Sequence, residues 1–334
     1  MRIAIDAMGG DHAPKEIVYG TIESAQKNPH ITFIVVGQEN KIREYIDKDL
    51  KNVEIIHATE VIEVDEEPVK ALKKKKDASM VVAAKLVKEK RADAMITAGN
   101  TGAFMASGLL TIGRLPGVVR PALAPVFPST KGSGTLVLDV GANMDAKPEY
   151  LVQHAMLGSI YMSKMLGITT PRVGLLNIGS EPSKGNELLK AVYKMLEESN
   201  LNFIGNIEAR DIMEGSCDVL VCDGFTGNIL LKTAEGVAST IFNSLKREIK
   251  GSVFSKLGGL LLLPAFKRLK KGLDYREYGG APLLGVKGAC IKSHGSSDRM
   301  AIMNAINQAK MFIEKGTLDE MARELTNRSD TIEE

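Results

Sequence analysis

Two stretches of this 334-residue chain match each other without a gap. Asp93-Ala94-Met95-Ile96-Thr97-Ala98-Gly99-Asn100-Thr101-Gly102-Ala103 aligns with Asp218-Val219-Leu220-Val221-Cys222-Asp223-Gly224-Phe225-Thr226-Gly227-Asn228. Asp93 meets Asp218, Gly99 meets Gly224, Thr101 meets Thr226 and Gly102 meets Gly227. In each copy an apolar strand gives way to a glycine turn and then a helix. The first N–H groups of a helix have no intrahelical partner, so such a turn is a ready anion site. The repeat predicts an internally duplicated α/β fold with a cleft between the copies. The alternative is coincidence among glycine-rich βα turns.

The rest of the chain continues the alternation. Strands are expected at 3–7, 31–36, 53–57, 135–140, 172–178 and 203–206, with helices at 15–26, 41–47, 78–90, 148–166, 187–198 and 229–250. Short strands follow at 283–286 and 289–291. Ser296 or Ser297 is expected to cap a helix from Asp298 to Glu314, and Asp77 the helix from Ala78. Prolines 121, 125 and 128 make 122–127 an edge or irregular strand. Lys73–Lys76 reads as a solvated face, or as a docking patch for an acidic partner. Strands alternating with helices predict a three-layer α/β/α fold with a mostly parallel sheet. The expected organisation is one domain, 1–334, of two similar halves.

Composition narrows the function classes. The formal net charge is +2 and Trp is absent, which argues against a nucleic-acid surface. Cys217, Cys222 and Cys290 lack zinc-ligand spacing and are expected to be reduced thiols of a cytoplasmic protein. Met1–Asp6 reads as a strand and not a signal sequence.

Ligands of open α/β sheets bind beyond the carboxyl ends of the strands. Those ends here carry Gly9-Gly10-Asp11, Gly99-Asn100-Thr101-Gly102, Asp139 with Asn143 and Asp145, Asn177-Ile178-Gly179 with Lys184, Asp223 to Asn228, and Lys292 to Ser297. This is a set for holding an oxyanion and polarising a carbonyl. It contains no Walker lysine, no dinucleotide fingerprint, no G-x-S-x-G elbow and no paired Cys and His.

Asp6-Ala7-Met8-Gly9-Gly10-Asp11, Gly99-Asn100-Thr101-Gly102-Ala103, Leu138-Asp139-Val140-Gly141-Ala142-Asn143, Asn177-Ile178-Gly179, Cys222 to Asn228 and Pro282-Leu283-Leu284-Gly285-Val286 resemble, in combination and end to end, the bacterial acyl-ACP:phosphate acyltransferases. The resemblance implies transfer of a long-chain acyl group from acyl carrier protein (ACP) to inorganic phosphate. Acyl-phosphate would then feed phospholipid synthesis through a glycerol-phosphate acyltransferase. It also implies a homodimer, and a fold related to isocitrate and isopropylmalate dehydrogenases and to phosphotransacetylase. No cofactor or metal is implied. The rival readings are a short-chain phosphotransacetylase using acyl-CoA, a dehydrogenase on the same fold, and a non-catalytic binding scaffold.

For that reaction, phosphate binding falls to Gly99, Asn100, Thr101 and Gly102 and to Gly224, Thr226 and Gly227, with Lys184 as charge partner or as a mere loop lysine. Asn143, Asn177 and Asn228 are candidate oxyanion donors. Asp139 and Asp223 are expected to orient those donors. His294 is a candidate acid for the leaving thiolate, or a structural histidine.

One segment stands apart. Leu257 to Phe266 is apolar over about half the length a bilayer crossing needs. Gly258-Gly259 and Pro264 predict two short helices meeting at an apolar tip, within a protruding region 250–273. No acidic residue lies between Glu248 and Asp274, whereas Lys250, Lys256, Lys267, Arg268, Lys270 and Lys271 do. An apolar tip (Phe254, Leu257, Leu260, Leu261, Leu262, Leu263) with a basic collar suits the inner face of an anionic membrane. The alternative place for these leucines is a dimer interface, and the two can coexist.

Overall fold

The computed structural model describes residues 1–46, 50–130, 134–272 and 279–332. In chain order the elements are β1 (Arg2–Asp6), α1 (Lys15–Lys27), β2 (Thr32–Gly37), α2 (Glu39–Arg43), β3 (Val53–His57), α3 (Pro68–Lys74), α4 (Ser79–Lys88), β4 (Ala94–Thr97) and α5 (Thr101–Ser107). Then come β5 (Ala122–Leu123), β6 (Val126–Phe127), β7 (Thr135–Leu138), α6 (Pro148–Leu166), β8 (Val173–Asn177), α7 (Glu187–Glu197), β9 (Phe203–Glu208) and β10 (Val219–Val221). The chain closes with α8 (Gly224–Lys250), α9 (Val253–Gly272), β11 (Ala281–Leu284), β12 (Ala289–Lys292), α10 (Arg299–Glu314) and α11 (Thr317–Ile332).

One sheet has the order β3-β2-β1-β4-β12-β11-β5 and the other β6-β7-β10-β8-β9. They meet where Pro125 interrupts β5 and β6. There the Val137 N–H donates to the Pro125 carbonyl and the Val140 N–H to that of Leu123. Proline cannot donate to a ladder, so the seam falls at the irregular strand its prolines predict. Both faces are covered: Ile3 and Ile5 of β1 join one apolar core and Ala4 the other. Strands buried on both sides read as continuous apolar runs, and the fold is α/β with mostly parallel pairing.

Direction matters more than order. β11 pairs antiparallel with both β12 and β5, and β6 antiparallel with β7. Three reversals separate β12 from β7. The strands β1, β2, β3, β4 and β12 therefore run opposite to β7, β8, β9 and β10, and because the end of β7 pairs alongside β5, at the level where β12 ends, the carboxyl ends of the two sets converge on the β5–β6 seam.

Several local expectations need correction. Asp298, not Ser296 or Ser297, caps α10, accepting from the Ala301 N–H at 3.0 Å. Asp77 does not cap α4. Its carboxylate takes the Thr59 N–H at 2.8 Å and hydroxyl at 2.6 Å. Lys75 leaves the lysine run to bind the Val61 carbonyl and the Glu66 carboxylate, both at 2.6 Å. The apolar segment is one helix, α9, running through Gly258, Gly259 and Pro264. Gly259 lets α9 lie close on α8, since a Cβ there would stand 2.5 Å from Ile249 Cγ2. Pro264 is exposed, so water can satisfy the carbonyl its missing N–H deserts. The side chains of Lys267, Arg268, Lys270 and Lys271, called as a basic collar, lie outside the described residues.

Candidate active site

The glycine turns fall into two groups, one from each half of the sheet, which approach each other at the β5–β6 seam. The first gathers the turns after β7, β8 and β10. Asp139 is fully buried there. Its carboxylate accepts from the Leu123 N–H at 3.0 Å, the Ala142 N–H at 3.1 Å, the Asn143 N–H at 2.6 Å and Asn143 Nδ2 at 3.0 Å. Asn143 Nδ2 also donates to the Pro121 carbonyl at 2.8 Å. Both of its amide hydrogens are thus committed, so Asn143 shapes the turn and has none left for an oxyanion in this arrangement.

The turn after β10 packs directly on the one after β7. The Gly224 N–H donates to the Asn143 carbonyl at 2.9 Å. A Cβ on Gly227 would stand 1.9 Å from the Asp139 carbonyl oxygen. These glycines are needed for close approach of two backbones. Asp223 caps α8, taking the Thr226 N–H at 2.9 Å and its hydroxyl at 2.6 Å. The Gly227 N–H goes to the Asp223 carbonyl at 3.0 Å. Gly224, Thr226 and Gly227 have therefore spent the N–H groups that the repeat offered to an anion, and a carboxylate sits at that helix end.

Asn228 is half-buried on the first turns of α8, with Cβ and Cγ each 3.8 Å from where a Cβ on Gly141 would lie. It faces the β7 turn across an opening kept by that glycine. Asn177 closes the β8 turn, with Nδ2 on the Lys184 carbonyl at 3.1 Å and Oδ1 on the Ile178 N–H at 2.8 Å. Lys184 is half exposed, 3.9 Å from Glu181. Ile178, Phe225 and Met144 stand exposed on these same turns.

The second group gathers the turns after β1, β4 and β12. Asn100 caps α5, accepting from the Ala103 N–H at 2.9 Å, while its Nδ2 holds the carbonyls of Glu63, Val64 and Glu66. A Cβ on Gly102 would strike Pro68 at 2.4 Å, and one on Gly9 would strike the Gly99 nitrogen at 2.6 Å. Thr101 is exposed at the head of α5. The Asp11 N–H donates to the Gly295 carbonyl at 2.8 Å, tying the β1 and β12 turns together. His294 Nδ1 accepts from the Ser296 N–H at 3.2 Å, and burial lowers its pKa, with Glu235 of α8 opposing and Lys232 assisting. Lys232 and Glu235 place α8 beside this group, so the helix that starts at one group passes the other.

A family model described as a fatty acid synthesis protein matches residues 1–320. A phosphate acyltransferase of Brevibacillus brevis is 57% identical over 316 residues, 94% of each chain. One from a Geobacillus species is 52% identical over 313 residues, 94% of this chain and 95% of that one. The chain belongs to this phosphate acyltransferase family. It is an acyltransferase. Its fold is shared with a phosphotransacetylase from Streptococcus pyogenes, at TM-score 0.61 and 18% identity over 94% of each chain. A branched-chain phosphotransacylase from Enterococcus faecalis superposes at TM-score 0.56 with 15% identity, covering 93% of this chain and 98% of that one.

The acyltransferase has no thiolate to use as nucleophile. Cys217, Cys222 and Cys290 are buried. Burial pushes Cys217 and Cys290 up to about 12, and Cys222 well above the usual thiol range. Among the described residues no three His, Cys, Asp or Glu side chains gather as a metal set would. His294 is held toward its neutral form, which leaves less of the protonated ring to serve the leaving thiolate.

Sequence reasoning placed Lys292 at a strand end and quoted Asp6 and Thr97 in its motifs, but gave none of them a role, and it passed over His154. Asp6 and Thr97 end neighbouring strands, and Lys292 lies opposite Thr97 in register. Thr97 donates to Asp6 Oδ2 at 2.6 Å. His154 is fully buried, where burial lowers its pKa against the pull of Asp139. A charged residue ending an otherwise apolar strand was the available signal for Asp6 and Lys292.

Proposed function

We propose that this acyltransferase moves a long-chain acyl group from acyl-ACP to inorganic phosphate, giving acyl-phosphate for phospholipid synthesis. End-to-end likeness to relatives named phosphate acyltransferase carries the reading. Exposed Ile178, Phe225 and Met144 at the β7, β8 and β10 turns add an apolar rim that suits an acyl chain. Phosphate is already an anion at neutral pH and can attack the thioester without a strong base. What remains is to align it and to receive the oxyanion on preplaced donors. Asn228 and Asn177 take the donor role, in a turn cluster that Asp139 and Asp223 hold in place. The departing thiolate, of ordinary pKa about 8.5, needs little help from an acid. Mass spectrometry of acyl-ACP mixed with phosphate tests the reading. Acyl-phosphate and free ACP are expected, and an intact thioester would sink it. Acyl-CoA offered in competition separates the two donors.

Lys184 is the charge partner for phosphate in this scheme. Because its ammonium is half exposed, solvent screening limits the loss in Lys184→Ala to ~1 kcal/mol, about fivefold in phosphate KM. Steady-state kinetics at varied phosphate checks this, and an unchanged KM removes Lys184 from the site.

The α8–α9 hairpin would serve both a homodimer and a membrane surface. Phe254 is 88% and Leu261 82% exposed, with Leu257, Leu260, Leu262 and Leu263 also exposed. Among the described residues no helix is long and apolar enough to cross a membrane. A peripheral seat on the inner face of the membrane would hand an insoluble acyl-phosphate to the next acyltransferase. Leu261→Glu and Leu262→Glu are expected to stay active and lose co-sedimentation with anionic vesicles. Undiminished vesicle binding would exclude the membrane role, and dissociation to monomers would assign these leucines to the dimer.

A further inference from the structure

Lys292 ends β12 and is the one buried lysine or arginine among the described residues. A buried ammonium is costly unless its charge is matched and its three N–H groups are satisfied. The ammonium donates to the Ser293 carbonyl. Asp6 lies on the second strand over, at the same level, and attracts it, but no ion pair within 4 Å joins the two among the described residues. The Asp6 oxygens are engaged by Thr97 Oγ1 at 2.6 Å and the Met8 N–H at 3.2 Å. The turn that follows adds two further buried donors. The hydroxyls of Ser293 and Ser297 have no hydrogen-bond partner. Buried polar groups in folded proteins are almost always paired, so unmatched donors on the turn that follows a buried cation ask for an acceptor, and an anion would answer both.

The first group of turns offers a phosphate less, because Asp223 already occupies the N-terminus of α8 and Lys184, the candidate cation there, is half exposed. The second group holds unmatched buried donors and a buried ammonium, with Asp6 and Asp11 as the carboxylates that attract it. We propose that Lys292 is the cation that positions the phosphate substrate, at the carboxyl ends of β1, β4 and β12. This rests on the reading of phosphate as acyl acceptor. The phosphate enters between the half-buried His294 and α8, where Lys232 is paired with Glu235 at 2.8 Å. Thr97 holds the Asp6 carboxylate by a hydrogen bond, so that carboxylate balances the ammonium from a distance instead of capping it.

Burial pulls the Lys292 ammonium down to about 8, with Asp6 and Asp11 holding it up and Lys232 opposing them. The cation is therefore mostly charged at neutral pH and is lost as the pH rises through that value. Lys292→Met is expected to raise the phosphate KM roughly tenfold to a hundredfold, the range of a charge-assisted hydrogen bond, and to leave the acyl-ACP KM unchanged. A rise in the acyl-ACP KM instead would mean that the cation serves the donor's phosphopantetheine, and would overturn the inference. Inorganic phosphate is expected to raise the parent's Tm, since a ligand bound only to the native state stabilises it. It is expected to leave the Tm of Lys292→Met unmoved. Where Lys292→Met fails to fold because Asp6 has lost its countercharge, Asp6→Asn/Lys292→Met carries the same measurement. Lys292→Arg should bind phosphate without the weakening above pH 8 expected of the parent. An equal phosphate shift in parent and variant, or none in the parent, overturns the inference. A parent that phosphate stabilises but that forms no acyl-phosphate would sink the acyl-transfer reading and leave the anion site standing.

Discussion

Gly227→Ala is expected to abolish acyl transfer and to lower stability by about 1–3 kcal/mol or more, the cost of forcing a methyl group into a packed interior. The added Cβ would stand 1.9 Å from the Asp139 carbonyl oxygen and close to Cys222 Sγ, at 2.8 Å. A side-chain tip could rotate away, but a carbonyl at the end of β7 cannot move without its strand. The start of α8 must retreat, and the Gly224 N–H bond to the Asn143 carbonyl goes with it. Asn228, one residue on, is then carried out of reach of the Gly141 turn. Thermal melting together with activity of the purified variant checks this. A Gly227→Ala protein with parental Tm and turnover would show that the two turns need not touch. Gly236 on the same helix is the control, because nothing lies within 4 Å of a Cβ there. Gly236→Ala should be neutral or slightly stabilising, since alanine is the better helix former.

Asn228→Ala is expected to lower kcat by roughly a hundredfold to a thousandfold, about 2.7–4 kcal/mol, with little change in either KM. An oxyanion donor acts where charge develops, so its loss falls on the transition state. Asn228 suits that role better than the other two candidates. Asn143 has both amide hydrogens committed. Asn177 uses one on the Lys184 carbonyl. Asn228 projects from a rigid helix toward the gap over Gly141 and is half-buried, so solvent screens it only in part. The competing explanation is that Asn228 supports the turn. Circular dichroism and melting of Asn228→Ala separate the two. If activity declines only in proportion to stability, Asn228 is a turn residue. A proportional rise in both KM values would likewise exclude a transition-state role.

The positions of turns and helices were legible because the signals are local. Pro148 at the start of α6 and Gly167 after its end bracket the predicted helix, Pro148–Leu166. The apolar run Leu136–Leu138 could only be a strand covered on both faces. The α9 segment was misread because local propensity is a weak rule. Gly258, Gly259 and Pro264 lower helix propensity, yet packing of Gly259 on Ile249 of α8 outweighs that cost. The repeat itself was read correctly as two strand–turn–helix units, and close packing adds a reason for its glycines: they admit Pro68, Asn143 and the Asp139 carbonyl.

By itself the sequence determined the α/β class, the family and the residues that crowd the carboxyl ends of the strands, since period, glycine and proline act over a few residues. Only the tertiary structure decided which of those ends share a site. Strand direction is not written in any one strand. It follows from three antiparallel pairings, β12–β11, β11–β5 and β6–β7, made between distant segments. Those pairings bring the Gly99 and Gly224 turns in from opposite directions toward the β5–β6 seam. They also bury Lys292 on a line with Thr97 and Asp6, two residues roughly two hundred and three hundred positions earlier in the chain. A lysine after Ala-Cys-Ile looks like the exposed end of a strand. It becomes a buried cation only because β4, β11 and α10 close around it.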